Sequence, residues 1–170
     1  MKALLYTLLF SALMFGSGTL TAQEYTSAIG IRLGSPIALS FKAFPFGDNL
    51  GIEAIVGYRN RDYFGYDFNQ FNAGGLLQWH GAIGEVDGLR YYFGGGASAY
   101  VWSFDDGFGD SDYSDVRLGV HGNVGLDYVF SNAPVNLSLD FMPTLFIGEE
   151  IFDDSFNSQY ALTARYILGD

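Results

Sequence analysis

The chain has 170 residues, carries a formal net charge of −11 and contains no cysteine. A chain of this length forms one domain. The absence of cysteine excludes disulfides and thiolate metal sites. The negative charge argues against nucleic acid as a partner, because binding to phosphates requires clustered Lys and Arg. Charged residues make up 16% and aromatic residues 18% of the sequence, which argues against disorder and suits a protein with much apolar outer surface.

The first segment has the pattern of a secretory signal peptide. Lys2 provides the positive start, residues 3–15 form an apolar run, and the small residues Thr21 and Ala22 precede a cleavage point near Gln23. An uncleaved membrane anchor is the alternative, but the apolar run is shorter than the about 20 residues that a spanning helix needs. We therefore expect residues 1–23 to be a signal peptide and residues 24–170 to form one barrel domain.

After residue 25, apolar residues alternate with polar or small ones, and this period of two predicts β-strands. Ile29, Ile31 and Leu33, for example, share one face of the first segment. Gly and charged residues interrupt the later apolar runs, so we expect strands of nearly the about 9–11 residues that cross a bilayer, and no transmembrane helix. Eight strands are predicted, at residues 28–34, 37–44, 50–59, 72–80, 89–101, 117–128, 135–142 and 159–168.

The predicted connections differ in length and charge. Short turns are expected at 46–49 and 131–134, a somewhat longer turn at 81–88, and longer acidic loops at 60–70, 103–115 and 147–157; the link at 34–36 is very short. Outer-membrane barrels have short periplasmic turns and longer outer loops. The sequence therefore predicts an all-β fold, an eight-stranded antiparallel up-and-down transmembrane β-barrel in the bacterial outer membrane, with outer-membrane lipid as its environment.

The composition of the two strand faces indicates which one meets lipid. The polar face consists largely of Gly, Ala, Ser and Asn, which suit the cramped interior of an eight-stranded barrel. A water-facing column would be rich in Lys, Glu and Thr. We expect the apolar face, with Val124, Leu126, Leu137 and Leu139, to contact lipid. A soluble lipocalin-like binding barrel, with its apolar face inside, is the alternative.

Charged residues within the polar columns predict a paired network inside the barrel. Buried charges are costly unless they are paired and hydrogen-bonded, and the planar guanidinium of Arg can bridge two carboxylates. Five cations face three acids, so some cations are expected to pair with loop acids or to reach the ends of the lumen. At most a narrow pore is expected. The predicted lumen residues are Arg32, Lys42, Glu53, Gln78, His80, Arg90, Arg117, His121, Asp127, Asp140 and Arg165.

Aromatic residues near the predicted strand ends match the girdles that such barrels place at both membrane interfaces. General β-propensity is the alternative explanation, because Tyr, Phe and Trp favour strands in any case. The predicted girdle residues are Phe44, Phe46, Tyr58, Trp79, Tyr91, Tyr128, Phe130 and Tyr166.

Chemical activity has few candidate residues. His80 and His121 can act as general bases only beside a nucleophile or acid such as Ser98 or Asp127, so a lipid-modifying barrel enzyme is the alternative to a non-enzymatic role. The acidic run at 105–115 lacks the spacing of an EF-hand loop. We interpret it as a solvated loop that offers a surface to an unknown extracellular ligand or partner. No catalytic residue, cofactor or metal site is predicted.

Four segments carry a resemblance to a known family. They read AIGIRLGSP at 28–36, ALSFKAF at 38–44, GIEAIVGYR at 51–59 and GLRYYFGGGA at 88–97. With the strand-like last segment they cover most of the mature chain, which resembles the small outer-membrane β-barrel proteins of the Bacteroidetes type (OmpA/OmpX-like). The resemblance implies barrel architecture and outer-membrane location, and it implies no particular activity.

Overall fold

The computed structural model describes residues 25–63, 66–84, 86–105, 113–147 and 156–169. It also describes the side chains of these residues, except those within 61–68 and 104–115. The predicted signal peptide and parts of the predicted acidic loops lie outside the described residues. Within these ranges, no helix is long and apolar enough to cross a membrane. The described strands are β1 (Ser27–Leu33), β2 (Ile37–Ala43), β3 (Leu50–Tyr63), β4 (Tyr66–Ala82), β5 (Leu89–Asp105), β6 (Tyr113–Val129), β7 (Val135–Ile147) and β8 (Phe156–Gly169).

The eight strands close into one barrel. Each strand is antiparallel to its neighbours in chain order, and β1 pairs with β8 as well as with β2. Closure leaves no sheet edge between the first and last strands, so backbone N–H and C=O groups find partners within the wall. The predicted eight-stranded antiparallel up-and-down barrel is confirmed.

The two faces of the wall separate polar from apolar side chains. Lys42 and Glu53 are fully buried in the interior, whereas Leu39, Val124 and Leu139 are 60%, 53% and 57% exposed on the outside. Because side chains alternate along a strand, one register places the whole polar column inside and the whole apolar column outside. A water-soluble barrel has the opposite arrangement.

The strands on one side of the barrel are longer than the sequence predicts. Residues 60–70 and 103–115 were expected to be loops, but β3 and β4 stay paired up to Tyr63 and Tyr66, and β5 and β6 stay paired up to Phe104 and Tyr113. The prediction depended on apolar residues in alternation, and these stop before the ladder does. Backbone pairing continues because each strand is already aligned by its neighbour, while the outward side chains become polar.

Glycines in β5 allow two backbones to approach closely. A Cβ atom built on Gly96 would lie 1.9 Å from the carbonyl oxygen of Gly75, and one on Gly94 would lie 2.0 Å from that of Leu77. Neither position tolerates a side chain without movement of β4. The run from Gly94 to Gly96 therefore serves close packing in the wall, as its place within a strand pattern indicates.

Aromatic side chains mark the outer surface at several predicted girdle positions. Tyr58, Trp79, Tyr91 and Tyr166 are 56%, 48%, 42% and 41% exposed on the outside. Phe44 was predicted to belong to the girdle, and this is wrong. Its ring lies inside the barrel, because position 44 continues the inward column of β2 one residue beyond the end of that strand.

A pair of glycine substitutions tests the close approach. We expect Gly96→Ala to destabilise the barrel by roughly 1–3 kcal/mol, the usual cost of overpacking. Gly75→Ala is the matched control, since a Cβ there points outward and meets nothing closer than 3.8 Å. Urea unfolding in detergent micelles measures both. Equal stability of the two variants would contradict the close contact.

Candidate functional site: the polar interior

The central layer of the interior contains six charged side chains that are almost wholly buried. Each is at most 3% exposed, and in an apolar medium such charges are tolerated only when they are paired. Three are cations and three are acids, so the formal charge of the layer is zero. The six are Arg32, Lys42, Glu53, Asp127, Asp140 and Arg165.

Arg165 and Glu53 form an ion pair across the lumen, from β8 to β3. Arg165 Nη2 lies 2.5 Å from Glu53 Oε1, and Arg165 Nε donates to Ser40 Oγ at 2.8 Å. The Ser40 hydroxyl in turn donates to Glu53 Oε1 at 2.6 Å. The remaining guanidinium nitrogen, Nη1, donates to Ser138 and Asn136 of β7 at 2.8 and 3.1 Å. Nearly the whole donor set of this guanidinium is therefore used.

A second pair links Arg32 of β1 to Asp140 of β7. The two guanidinium nitrogens lie 2.6 and 2.5 Å from the two carboxylate oxygens, which is the bidentate geometry that Arg favours. The hydroxyl of Tyr92 donates to the same carboxylate at 3.1 Å. This pair ties together β1, β5 and β7.

Two carboxamides join the pairs into one network. Gln78 Nε2 donates to Glu53 Oε2 at 2.8 Å and to Asn123 Oδ1 at 2.7 Å, and Asn123 Nδ2 donates to Asp140 at 3.4 Å. With these contacts the network includes a side chain from each of the eight strands. Polar networks of this kind stabilise only when their members are satisfied together.

Lys42 lies beside this network with longer contacts. It stands opposite Glu53 in the β2–β3 ladder, and its Nζ atom lies 3.7 Å from Glu53 Oε2 and 3.8 Å from Asp127 Oδ1. His80 Nε2 lies 3.5 Å from Nζ, and the ring centroid of Tyr92 lies 4.3 Å from it. The ammonium is therefore surrounded by two carboxylates and two aromatic rings.

Aromatic residues cover the network at both ends. At the end with the short turns, Tyr25 and Phe44 pack edge to face with centroids 5.1 Å apart, beside Ala28 and Val129. At the other end Tyr100 stacks on Trp102 at 5.5 Å, and Phe146 packs against both rings. The charged layer thus lies between two aromatic layers.

Two predicted lumen residues lie in these aromatic layers instead of the central one. Arg90 is half-buried, donates to the backbone carbonyl of Asp48 and lies 5.3 Å from the Phe44 ring. Arg117 lies 5.7 Å from the Trp102 ring at the opposite end. Their positions explain why five cations in the polar columns do not give an excess of charge in the middle.

His121 lies apart from the acids, in a neutral group. Its Nε2 atom is 2.7 Å from Ser98 Oγ and its Nδ1 atom is 3.1 Å from Thr144 Oγ1. Ser98 lies beside His121, as it would in an enzyme. The other ring nitrogen of His121 contacts the hydroxyl of Thr144, however, whereas in a catalytic triad it contacts a carboxylate. All three side chains face the interior and are at most 8% exposed.

Several members of the network were not among the predicted site residues. Ser40, Tyr92, Asn136 and Ser138 lie on the same inward columns as the charged residues, and this position is the signal that would have identified them. Within the described residues, no group of three or more His, Cys, Asp or Glu side chains lies close enough to hold a metal ion.

Comparisons with known proteins give structural neighbours and no sequence relatives. No protein-family model and no curated protein sequence matches the chain. The fold is similar to Neisserial surface protein A, with a TM-score of 0.60 and 16% identity over 84% of this chain and 93% of that one. It is also similar to Ail, the attachment invasion locus protein of Yersinia pestis, with a TM-score of 0.53 and 14% identity over 85% and 99%. These likenesses show the fold, and the Bacteroidetes type stays a prediction.

Removal of one central acid tests the energetic role of the network. We expect Glu53→Gln to destabilise the barrel by roughly 3–5 kcal/mol, because it leaves Arg165 and Lys42 with one buried acid fewer. Asp87→Asn is the matched control at an exposed turn residue, with an expected change within about 0.5 kcal/mol. Urea unfolding compares the two, and similar midpoints would show that the buried charges contribute little.

Proposed function

We propose that this protein is an integral outer-membrane β-barrel with a structural or interaction role and without enzymatic activity. The observation that carries the proposal is the apolar outer surface of a closed barrel whose polar side chains are buried. Exposed apolar surface of this extent is unfavourable in water and favourable in lipid. A closed sheet also satisfies the requirement that no backbone polar group meets lipid unpaired.

The limits of the apolar surface support a membrane-spanning band. On β3, β4 and β5 the last apolar outward residues are Tyr58, Phe71 and Val101, which are neighbours in the ladders. The next outward row is polar and consists of Asn60, Asn69 and Ser103. Tyr58 and Asn60 both donate to Asn69 Oδ1, at 2.7 and 2.8 Å. Such a change from apolar to polar rows fits the edge of a bilayer.

The sequence and the structural neighbours give independent support for the location. A signal-peptide pattern at 1–23 fits export, and one neighbour is described as a surface protein and the other as an attachment invasion locus protein. The low identities carry neither role over to this chain, so both location and role are proposals here.

The long strands on one side of the barrel favour an interaction role. β4, β5 and β6 have 17 residues each, whereas β1 and β2 have 7. The sequence at 103–115, which joins β5 to β6, is rich in Asp. An extracellular partner would therefore meet the acidic segments on the β3–β6 side.

A lipid-modifying enzyme is the second candidate, favoured by the contact between Ser98 and His121. Both side chains face the lumen, where acyl chains outside the wall do not contact them. Replacement of Ser98 by Ala should leave the outer-membrane lipid profile unchanged if the barrel is not an enzyme. A changed profile, with wild-type protein levels, would favour the enzyme.

Cell fractionation tests the location. The mature protein should appear in the outer-membrane fraction, require detergent for solubility and migrate on gels differently with and without heating. A monodisperse, detergent-free periplasmic protein would contradict the proposal and favour a soluble barrel.

A charge scan tests which face meets lipid. Val124→Arg should cost roughly 2–4 kcal/mol of stability in bilayers, the usual cost of Arg at the lipid midplane of a barrel. Val86→Arg is the matched control, because Val86 is exposed in the turn between β4 and β5. Unfolding in liposomes measures both changes, and a Val124→Arg variant as stable as the control would place that face in water.

Conductance tests whether the lumen is a channel. Since side chains from all eight strands fill the lumen, currents in planar bilayers should be small and erratic. A large, steady, ohmic conductance from the purified monomer would make a porin the better description.

A further inference from the structure

Three buried side chains near the short-turn end of the lumen have polar atoms without partners among the described residues. Among the described residues, neither carboxylate oxygen of Asp127 accepts a hydrogen bond, and the hydroxyl of Tyr25 and the Nδ1 atom of His80 also find no partner. The exposed fraction of each of these side chains is at most 2%. An unmet buried polar group is unfavourable, so a fold that contains several of them together needs a further partner at this place.

Lys42 lies beside two members of this group, His80 and Asp127, and is itself poorly satisfied. Its ammonium has three hydrogens to donate, but its nearest acceptors, on His80, Glu53 and Asp127, are 3.5, 3.7 and 3.8 Å away. Direct N–H···O bonds are about 2.7–3.2 Å long. The direct contacts of the ammonium are therefore weak, and its hydrogens remain available to a further acceptor.

Tyr25 remains a donor in this environment. Burial, and then the negative charge of Asp127, raise the pKa of its hydroxyl well above the ordinary value. The group therefore combines donors, on Lys42 and Tyr25, with acceptors, on Asp127 and on whichever nitrogen of His80 is unprotonated. A bridging species must accept from the first set and donate to the second.

We propose that the three unpartnered side chains and Lys42 form a binding site for buried water, in which at least one molecule bridges Lys42, Asp127 and Tyr25. Water both donates and accepts, as this mixture of groups requires, and it carries no net charge. A metal cation would be repelled by Lys42, and an anion would be repelled by Asp127. Buried waters of this kind usually make about three hydrogen bonds, which the group provides.

The site is enclosed on two sides. Phe44 packs against both Tyr25 and His80, with ring centroids 5.1 and 4.9 Å apart, and covers the group at the short-turn end. Away from Phe44, Lys42 lies 3.7 Å from Glu53, which is paired with Arg165. The water thus completes the hydrogen bonding of Asp127, the one buried acid of the central layer that accepts no hydrogen bond from the described residues.

Whether one substitution raises or lowers the stability of the barrel distinguishes a hydrated site from a dry one. In a dry site, Tyr25→Phe removes an unmet hydroxyl and stabilises the barrel. In a hydrated site the same change removes a donor to bound water, and the unfolding equilibrium constant should rise roughly fivefold, about 1 kcal/mol. Tyr92→Phe, which loses a direct bond to Asp140, should destabilise in either case, and Tyr160→Phe, on the exposed outer surface, should change little.

A high-resolution crystal structure of the detergent-solubilised protein provides the second readout, and it does not depend on how well the variants fold. Density for water within hydrogen-bond distance of Asp127, Lys42 and Tyr25 is the expected result. A direct bond from Tyr25 to Asp127, a coordinated metal ion, or a Tyr25→Phe variant more stable than the wild type would each overturn the proposal. The test concerns the folded barrel alone, so its failure leaves the membrane location untouched.

Discussion

The ion pair between Arg165 and Glu53 crosses the lumen, and the rest of the interior is arranged around it. Glu53 Oε1 receives both the guanidinium and the Ser40 hydroxyl, while Oε2 receives Gln78. Because the outer surface is apolar, polar side chains have only the lumen as a place where they can lie. A lumen closed at both ends by aromatic rings must then neutralise its own charges, and three cations against three acids achieve this.

Size complementarity is the second constraint inside so narrow a barrel. The large inward rings lie over glycines of neighbouring strands. A Cβ on Gly125 would lie 2.7 Å from the Tyr92 ring, and one on Gly119 would lie 3.0 Å from the Tyr100 ring. Gly51 makes similar room for Phe44 and His80. The abundance of glycine in the polar columns therefore reflects the space that tyrosine, phenylalanine and histidine occupy.

Much of this architecture could be predicted from the sequence, because strand alternation determines which residues share a face. The columns that contain Arg32, Lys42 and Glu53 follow directly from a period of two. Partner choice does not follow, since Arg32 and Asp140 are 108 residues apart, and Arg165 and Glu53 are 112 apart. Only the shape of the closed barrel brings these pairs together. The extended ends of β3 to β6 could not be predicted either, because their outward residues are polar and give no apolar alternation.

A spin-label scan in liposomes tests whether the apolar wall lies in lipid around a closed polar interior. Labels at Val120, Val124 and Leu126, which are all exposed on the outer face of β6, are compared with labels at Val86 and Asn132 in the short turns. We expect strong collision with oxygen and weak collision with a water-soluble nickel reagent along β6, and the reverse at the two turn positions. Strong collision with the nickel reagent along β6 would contradict a lipid-facing wall.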